Sequence, residues 1–322
     1  MARKIAVLTS GGDSPGMNAC IRAVVRTAAL NGIEVEGAIG GFSGLISEKF
    51  VKLEPRSVSN IIQRGGTILK AGRCEEFLSK KGRAKAHSNL VKRGIDCLVG
   101  IGGDGTFRGL HAFHKEHGFQ VLGLPGTIDN DIHGTETIGF DTAVNTATSL
   151  IDKIKDTSIS HGLPFFVEVM GRHCGTIALE SAIASGAEAA LLPEVLHDMK
   201  DVCDMIRKSK KMGKASIIVI VAEGDESGGA VKAGEKAKLA TGIDYRVCVL
   251  GHTQRGGSPT VRDRMLASRL GYRSVNELMN GATDIMVGEE NGVATLVPLG
   301  DAQVKKKEVP IEDLELLRVL ST

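Results

Sequence analysis

Several residue types and patterns are scarce in this chain of 322 residues. Trp is absent, and two Tyr and nine Phe leave the core largely aliphatic. No apolar run approaches the roughly 20 residues that cross a bilayer, so we do not expect a membrane protein. Forty Lys and Arg oppose 38 Asp and Glu, a net charge of +2 that is too balanced to predict a nucleic-acid-binding coat.

Disulfide and targeting patterns are also missing. The six cysteines form no Cys-x-x-Cys pair and are dispersed along the chain, which predicts reduced thiols. The apolar run near the amino terminus, residues 5–8, is too short for a secretory signal, and no Arg-rich amphipathic leader is present. We therefore expect a cytoplasmic protein.

Glycine, by contrast, is abundant, with 41 residues, and many of the glycines follow short β-branched runs. These runs alternate with amphipathic segments, which predicts an α/β fold with largely parallel sheets. The predicted strands lie at residues 5–8, 33–39, 96–101, 120–124, 165–170, 216–222 and 246–250. The predicted helices lie at residues 17–31, 106–118, 141–158, 174–186, 199–211 and 260–279.

Six of the predicted strands end in a glycine-bearing or charged loop, and we expect these loops to converge at one rim, where α/β sheets bind ligands. The first loop carries Gly11, Gly12 and Gly16, whose backbone N–H groups suit phosphate oxygens, although a tight βα turn explains them equally well. The loop at residues 100–106 matches Gly-x-Gly-x-x-Gly, a weak dinucleotide signal, and the next strand does not end in the acid that such a site requires.

Acids and arginines in these loops favour phosphoryl transfer. Asp104 lies between glycines at a strand end, where one carboxylate and substrate phosphates hold Mg²⁺. Asp129 and Asp131 stand two residues apart in an extended loop and could serve as base and as metal ligand or cap. Four arginines adjoin glycine or a strand end, where forked phosphate contacts are favoured: Arg73, Arg172, Arg246 and Arg255.

Other kinase architectures are excluded because the sequence has no Walker loop, HRD or DFG motif. The histidines at positions 111, 114 and 117 share one helix face, but no further ligand completes a metal set. We therefore interpret them as solvated.

The segments TSGGDSPGMN, IQRGGT, IGGDGT, LPGTIDND, EVMGRHCG, VAEG and LGHTQRGGSP resemble, in this order and over nearly the whole chain, the bacterial ATP-dependent 6-phosphofructokinase family. GGDGT also resembles NAD kinases and lipid kinases, so the weight rests on PGTIDND, MGR and GHTQRGG. The resemblance implies Mg²⁺-dependent transfer of the ATP γ-phosphoryl group to the 1-hydroxyl of fructose 6-phosphate. It also implies two Rossmann-like three-layer lobes with the active site in the cleft between them.

The resemblance assigns roles to individual residues. Asp129 would be the base, Thr127 and Arg172 would stabilise the moving phosphoryl group, and Gly12 and Arg73 would complete the catalytic set. ATP and its Mg²⁺ would contact Gly12, Arg73, Cys74, Gly103, Asp104, Gly105, Thr106 and Gly109, with Asp104 as the metal ligand. The sugar phosphate would contact Thr127, Asp129, Asp131, Met170, Gly171, Arg172, Glu223, Arg246, His252 and Arg255, with Arg246 reaching in from a neighbouring subunit of a homotetramer.

Two glycines bear on the phosphoryl donor. Pyrophosphate users of the family carry an acid at the position of Gly105, where it fills the space of the α-phosphate, and a lysine at the position of Gly126. Both residues are glycine here, so the resemblance implies ATP.

Two departures from the family pattern affect the other sites. Leu163 stands where the family supplies a second arginine to the sugar phosphate, so we expect weak sugar binding, compensation by His161 or a lysine, or a different sugar. The family's effector pocket for ADP or phosphoenolpyruvate is partly kept, at Arg22, Arg26, Glu188 and Lys214, with Lys155 in place of an arginine. Pro55 and Met212 replace cations, so we expect muted regulation.

We expect the ATP lobe to comprise residues 1–139 and 252–303, and the sugar-phosphate lobe residues 140–251 and 304–322. Three alternatives remain at this point: a kinase of another sugar phosphate such as sedoheptulose 7-phosphate, an NAD-dependent oxidoreductase, and a non-catalytic regulatory subunit. The intact Asp104, Thr127, Asp129 and Arg172 argue against the last.

Overall fold

The computed structural model describes residues 4–196 and 198–321. In this part of the chain the strands are β1 (Lys4–Thr9), β2 (Glu34–Ala38), β3 (Phe50–Leu53), β4 (Cys97–Gly102), β5 (Gln120–Pro125), β6 (Phe165–Val169), β7 (Ala189–Leu191), β8 (Ile218–Ala222), β9 (Arg246–Val249), β10 (Ile285–Glu290) and β11 (Val293–Pro298). The α-helices are α1 (Met17–Leu30), α2 (Phe42–Ile46), α3 (Lys80–Lys92), α4 (Asp104–His117), α5 (Phe140–His161), α6 (Thr176–Ser185), α7 (Met199–Lys211), α8 (Gly229–Thr241), α9 (Val261–Met279), α10 (Leu299–Ala302) and α11 (Ile311–Leu320).

The chain divides into two compact units. The first contains Met1–Ile128, Ile132–Thr142 and Arg255–Lys307, and the second contains Asp129–Asp131, Ala143–Gln254 and Glu308–Thr322. The predicted lobe boundaries lie a few residues from these divisions, apart from the short segment at residues 129–131, which we had placed in the first lobe. The assignment of a ligand to each lobe stays a prediction.

The first unit is built on a seven-stranded sheet in the order β11-β10-β5-β4-β1-β2-β3. Its strands pair in parallel except at the two edges, where β11 and β3 run antiparallel to their neighbours. Alternate residues of β1 enter two different apolar clusters: Ile5 and Val7 pack in one, Ala6 and Leu8 in the other. Both faces of the sheet are therefore covered, which is why its central strands are apolar without alternation.

The second unit is built on a four-stranded parallel sheet in the order β7-β8-β6-β9. Strand β8 is buried along its whole length, and its valines pack with Phe166, α7 and α8 residues in one apolar cluster. Both units thus have the α/β class with largely parallel sheets that the sequence predicts.

All seven predicted strands and all six predicted helices are present, with ends shifted by a few residues. Four strands were missed: β3, β7, β10 and β11. Strand β7 has only three residues, too few for a periodic signal. The β10–β11 hairpin did carry a sequence signal in its turn. The turn is Asn291-Gly292, with φ of 51° and 78°, and tight hairpins favour this dipeptide.

The strand order divides the six predicted loops between two sheets. The loops after β1, β4 and β5 follow the first sheet, whereas those after β6, β8 and β9 follow the second. Each sheet therefore collects three of the six loops at its carboxyl edge. All six cysteines are free thiols. No helix in the described residues has the length and apolar character needed to cross a membrane.

Candidate active site

The loop after β1 brings an arginine against a glycine. A Cβ atom on Gly12 would lie 2.6 Å from Nη1 of Arg255 and 3.0 Å from its Cζ. The same Nη1 donates a hydrogen bond to the carbonyl oxygen of Asp13 at 3.1 Å. Only glycine leaves room for the guanidinium group at this position. Two predicted site residues that are far apart in sequence, Gly12 and Arg255, therefore adjoin.

This loop leads into a helix without a side-chain cap. Helix α1 follows Gly16, whose φ of 111° is a left-handed value, and no side chain accepts a hydrogen bond from the first turn. Uncapped N–H groups at a helix start favour anions. The geometry therefore agrees with a phosphate-binding loop as well as with a tight turn.

The segment carrying Arg73 lies beside the same loop. The backbone N–H of Gly11 and the hydroxyl of Ser10 both donate to the carbonyl oxygen of Gly72, each at 3.4 Å. Arg73 is exposed and Cys74 is half-buried. The backbone bonds thus position these two predicted ATP contacts next to the first glycine loop.

The loop after β4 supplies a carboxylate at a helix start. Helix α4 begins at Asp104, directly after Gly103, and no side chain caps it. Asp104 is half-buried, and its Oδ2 lies 3.7 Å from Arg108 one turn later. A Cβ atom on Gly105 would contact nothing within 4 Å, so the surface beside Asp104 is open.

The donor set around Asp104 suits a partly hydrated magnesium ion. No group of three or more His, Cys, Asp or Glu side chains that could hold a metal occurs among the described residues. A single carboxylate is the usual protein contribution to Mg²⁺ that is bound together with nucleotide phosphates. Asp104 therefore fits the predicted role of metal ligand with the rest of the ligands from ATP and water.

Gly109 has a packing reason to be glycine. A Cβ atom there would lie 3.0 Å from Cζ of Phe42 and 3.3 Å from Cε1 of Phe77. The two rings are stacked with centroids 4.0 Å apart and are almost fully buried. This contact lies in the apolar cluster, so it explains the glycine independently of the nucleotide contact that the resemblance implies.

The loop after β5 contains buried polar residues. Thr127, Asp129 and Asp131 are each less than a tenth exposed, and Asn130 between the two acids has a left-handed φ of 52°. The backbone N–H of Gly126 donates to Gly102 at 3.0 Å, and Gly103 faces the Thr127 side chain. The loops after β4 and β5 thus meet at Thr127. Asp129 and Asp131 belong to the second unit.

In the second unit, the loops after β6 and β8 meet at Arg172. Gly171 has a φ of 136°, and Arg172 is held at 54°, a left-handed value that is uncommon for a residue with a side chain. The backbone N–H of Arg172 donates to Oε1 of Glu223 at 2.8 Å. Gly224 lies so close to the Arg172 carbonyl that it cannot carry a side chain. This contact joins two predicted sugar-phosphate residues.

Gln254 is a positioning residue that the sequence analysis missed. It is fully buried, and its Oε1 accepts a hydrogen bond from the backbone N–H of Met170 at 3.2 Å. Its amide also donates to Gly251 at 3.1 Å. The loop that carries His252 is thereby fastened to Met170. The only signal in the sequence was its place between His252 and Arg255.

The remaining predicted residues are more separate. Arg246 is exposed at the start of edge strand β9; its backbone N–H donates to the carbonyl of Pro164 and its guanidinium group to the carbonyl of its neighbour Tyr245. His252 is exposed.

Of the predicted effector residues, the second unit brings Glu188 and Lys214 to 3.8 Å. Burial raises the pKa of Glu188, while its bond from Ile218 N–H and the nearby lysines oppose that rise. Lys155 donates to the carbonyls of Ser185 and Gly186. In the first unit, burial and then the charge of Arg26 lower the pKa of Arg22.

Comparison with known proteins identifies the chain's family. The family profile described as Phosphofructokinase matches residues 4–278. The ATP-dependent 6-phosphofructokinase 1 of Thermus thermophilus is 52% identical over 320 residues, which cover 99% of both chains. The ATP-dependent 6-phosphofructokinase of Staphylococcus carnosus is 55% identical over 301 residues, 93% of both chains. This α/β chain with glycine-lined loops belongs to the phosphofructokinase family.

A solved structure agrees. The phosphofructokinase of Saccharomyces cerevisiae superposes with a TM-score of 0.88 at 35% identity, covering 94% of this chain and 45% of the yeast chain. The predicted family and α/β fold class are both confirmed. The dinucleotide alternative that rested on Gly-x-Gly-x-x-Gly loses its basis, because the same loop occurs within a phosphofructokinase match.

Proposed function

We propose that this protein transfers the γ-phosphoryl group of ATP to the 1-hydroxyl of fructose 6-phosphate, producing fructose 1,6-bisphosphate and ADP. The bacterial relatives that match nearly the whole chain are named for this activity. The observation that carries the choice of donor is the open surface at Gly105, where a Cβ atom would contact nothing. The family resemblance implies that the α-phosphate of ATP takes this space, which an acidic side chain would fill.

Gly126 supports the same donor. A Cβ atom there would lie 2.8 Å from Ile101 and 3.2 Å from Met17, both fully buried. The lysine of pyrophosphate users has no room at this position without a shift of the core. The two glycines thus favour ATP for different reasons, one by open space and one by close packing.

The catalytic roles proposed here are those that the family resemblance implies, and the chemistry of the residues suits them. Asp129 accepts the proton of the sugar hydroxyl, and Arg172 and the Thr127 hydroxyl bind the oxygens of the phosphoryl group in transfer. Arg73 neutralises charge between the two substrates. Asp104 holds Mg²⁺, which when bound neutralises phosphate charge.

The sugar phosphate is bound by the remaining predicted set: Asp131, Met170, Gly171, Glu223, Arg246, His252 and Arg255. Arg246 is exposed, which supports the proposal that it reaches the sugar-phosphate site of a neighbouring subunit in a homotetramer. Leu163 is half-buried, and Lys210 donates a hydrogen bond to the carbonyl of adjacent Gly162. Lys210 thus lies beside the position of the missing arginine, but this carbonyl already engages its ammonium group, so we retain the expectation of a high KM.

Regulation and location are proposed on narrower grounds. Lys214 and Glu188 pair with each other, and Lys155 binds backbone carbonyls, so these side chains are already engaged. Muted responses to ADP and phosphoenolpyruvate follow from this engagement together with the lost cations at positions 55 and 212. As a glycolytic enzyme, the protein would act in the cytoplasm. A seven-carbon ketose phosphate is the second candidate acceptor, because Leu163 leaves the phosphate contact weaker.

The test is a matrix of ATP and pyrophosphate against fructose 6-phosphate and sedoheptulose 7-phosphate, with release of ADP or phosphate as the readout. We expect turnover with ATP and fructose 6-phosphate, and a loss of about 10²–10⁴-fold in kcat for Asp129→Asn. Asp156→Asn, an exposed change on α5, is the matched control and should leave kcat unchanged. Faster turnover with pyrophosphate than with ATP would refute the proposal that ATP is the donor. Faster turnover of sedoheptulose 7-phosphate than of fructose 6-phosphate would refute the proposed acceptor.

A further inference from the structure

The segment at residues 63–73, here called the strap, ends at Arg73. The strap lies in neither a helix nor a strand, so the regular hydrogen bonds of those elements do not hold it. The Arg73 side chain is exposed, and its position therefore depends on the backbone that carries it. Under the proposed function Arg73 acts between two charged substrates, where a displacement of about 1 Å can cost about 10²-fold in rate. The contacts that hold the strap thus bear on what Arg73 can do.

Asn18 makes the central contact with the strap. It is the second residue of α1 and is 1% exposed. Its Nδ2 donates to the carbonyl oxygens of Arg64 and Gly65 at 3.1 and 3.2 Å, and its Oδ1 accepts the backbone N–H of Ile68 at 2.8 Å. The orientation of the amide is settled, because the carbonyls require a donor and the N–H requires an acceptor. One buried side chain therefore satisfies three backbone groups of the strap.

Two threonine hydroxyls hold the part of the strap that leads to Arg73. Thr9 on β1 is fully buried and donates to the carbonyl oxygen of Lys70 at 3.0 Å. This bond uses the single hydroxyl proton of Thr9, so Thr67 is the donor in the 3.0 Å bond between the two hydroxyl groups. The strap is thereby fastened to β1 as well as to α1, the two elements on either side of the first glycine loop.

The beginning of the strap lies against the loop that carries Arg255. The hydroxyl of Ser258 donates to the carbonyl oxygen of Gln63 at 2.7 Å. A Cβ atom on Gly65 would overlap the carbonyl oxygen of Gly257. The strap therefore connects the loop of one predicted site arginine with the backbone of another.

We propose that Asn18, together with the Thr67 hydroxyl, positions Arg73 for phosphoryl transfer. The hydrogen bonds of Asn18 fix the strap to α1 before the substrates bind, so binding need not order the backbone that carries Arg73. A charge held in a fixed place stabilises a transition state better than one that must first be ordered. Asn18 is buried and bonded to backbone groups, so it is a positioning residue and not a catalytic one. This inference rests on the proposed function.

A double-mutant cycle between Asn18→Ala and Arg73→Met separates this role from general destabilisation. The kcat is measured with saturating ATP and fructose 6-phosphate for the wild type, the two single variants and the double variant. Proteins with Arg73→Met are assayed at high enzyme concentration. We expect Asn18→Ala to lower kcat about tenfold or more when Arg73 is present, and less than about twofold in the Arg73→Met background. A loss by the same factor in both backgrounds would overturn the proposal, because a merely structural role predicts that result.

Asn31→Ala is the matched control. Asn31 caps the opposite end of α1, where its Nδ2 donates to the carbonyl oxygen of Thr27 at 2.8 Å. The same substitution there should leave kcat unchanged in both backgrounds. Circular dichroism checks that each variant is folded.

Thr67 supplies the decisive variant should Asn18→Ala fail to fold. It is half-buried, and Thr67→Val removes its hydroxyl at nearly constant shape, whereas Thr67→Ser keeps the hydroxyl. We expect Thr67→Val to lower kcat only when Arg73 is present, and Thr67→Ser to retain most of the activity. Equal kcat in the two Thr67 variants would then overturn the proposal. A wild type that does not turn over ATP and fructose 6-phosphate would refute the proposed function and this inference with it, whereas an active wild type with an additive cycle would refute the inference alone.

Discussion

Asp263 offers a sharp test of how the first unit is held together. This carboxylate is 1% exposed and accepts three hydrogen bonds: from Gly139 N–H at 2.7 Å, Thr142 N–H at 2.8 Å and the Thr142 hydroxyl at 2.5 Å. It thereby caps the start of α5 from the first turn of α9. In return, Thr260 N–H donates to the Thr142 hydroxyl at 3.0 Å.

The change Asp263→Asn keeps the shape but replaces one acceptor oxygen with an NH₂ group. In its best orientation it retains the Thr142 bonds and sets a donor against the Gly139 N–H. A charged hydrogen bond is worth about 1.5–3 kcal/mol and a buried unpaired donor costs about 1–3 kcal/mol, while removal of a buried charge offsets part of this loss. We expect a net destabilisation of about 2–4 kcal/mol, measured by urea unfolding.

The pH dependence of that difference has a definite sign. Burial raises the pKa of Asp263, against the opposing effect of its hydrogen bonds. A carboxyl whose folded pKa is raised contributes most stability below its unfolded pKa and loses it as pH rises through the folded pKa. The stability gap between wild type and Asp263→Asn should therefore widen as pH falls from neutral toward the ordinary Asp pKa.

Hydrogen exchange localises the effect and supplies the refutation. The amides of Gly139 and Thr142 should exchange faster in Asp263→Asn than in wild type. The control Asp204→Asn removes an exposed carboxylate that pairs with Arg207 at 2.8 Å, and should cost at most about 0.5 kcal/mol. The reasoning is refuted if both variants unfold alike, or if exchange at Gly139 and Thr142 does not change.

Three further substitutions test other contacts. Gly12→Ala should displace the Arg255 guanidinium group and raise the KM for fructose 6-phosphate about tenfold, and Arg255→Met should have the same effect. An unchanged KM would show that Arg255 does not bind the substrate. Leu163→Arg should lower that KM, whereas Leu163→Met should not. An unchanged KM in Leu163→Arg would contradict the expectation that Leu163 weakens sugar binding. Gly109→Ala should destabilise the fold by about 1 kcal/mol in urea, because crowding of the stacked Phe42 and Phe77 outweighs the better helix propensity of Ala; a more stable variant would contradict this.

Short strands and side-chain partners could not be read from the sequence. Strand β7 has three residues and β3 has four, so neither shows a period. Helix α8 was missed because its sequence, GAVKAGEKAKLAT, is rich in Gly and Ala and has a weak apolar face. Its burial arises from packing against β6, β8 and β9, which is a property of the second unit.

The loops of the candidate site were predictable as residue types but not as contacts. The glycine-bearing and acidic loops were selected because they follow strands in an α/β pattern, where ligands bind, and the roles of individual residues were taken from the family resemblance. That Gly12 is glycine because of Arg255, 243 positions later, follows only from the fold. The same holds for Gln254, whose buried bond to Met170 has no counterpart in spacing.

By itself, the sequence determined the α/β class, most of the elements and the set of loops that carry chemistry. These properties depend on local periodicity and on turn residues, which act between near neighbours in the chain. Only the tertiary structure decided the division of the loops between two sheets, the capping of α5 by Asp263 and the fastening of residues 63–73 by Asn18. These features arise from packing between segments that are distant in the sequence. The free energy of such contacts depends on distances and burial, which no local sequence pattern specifies.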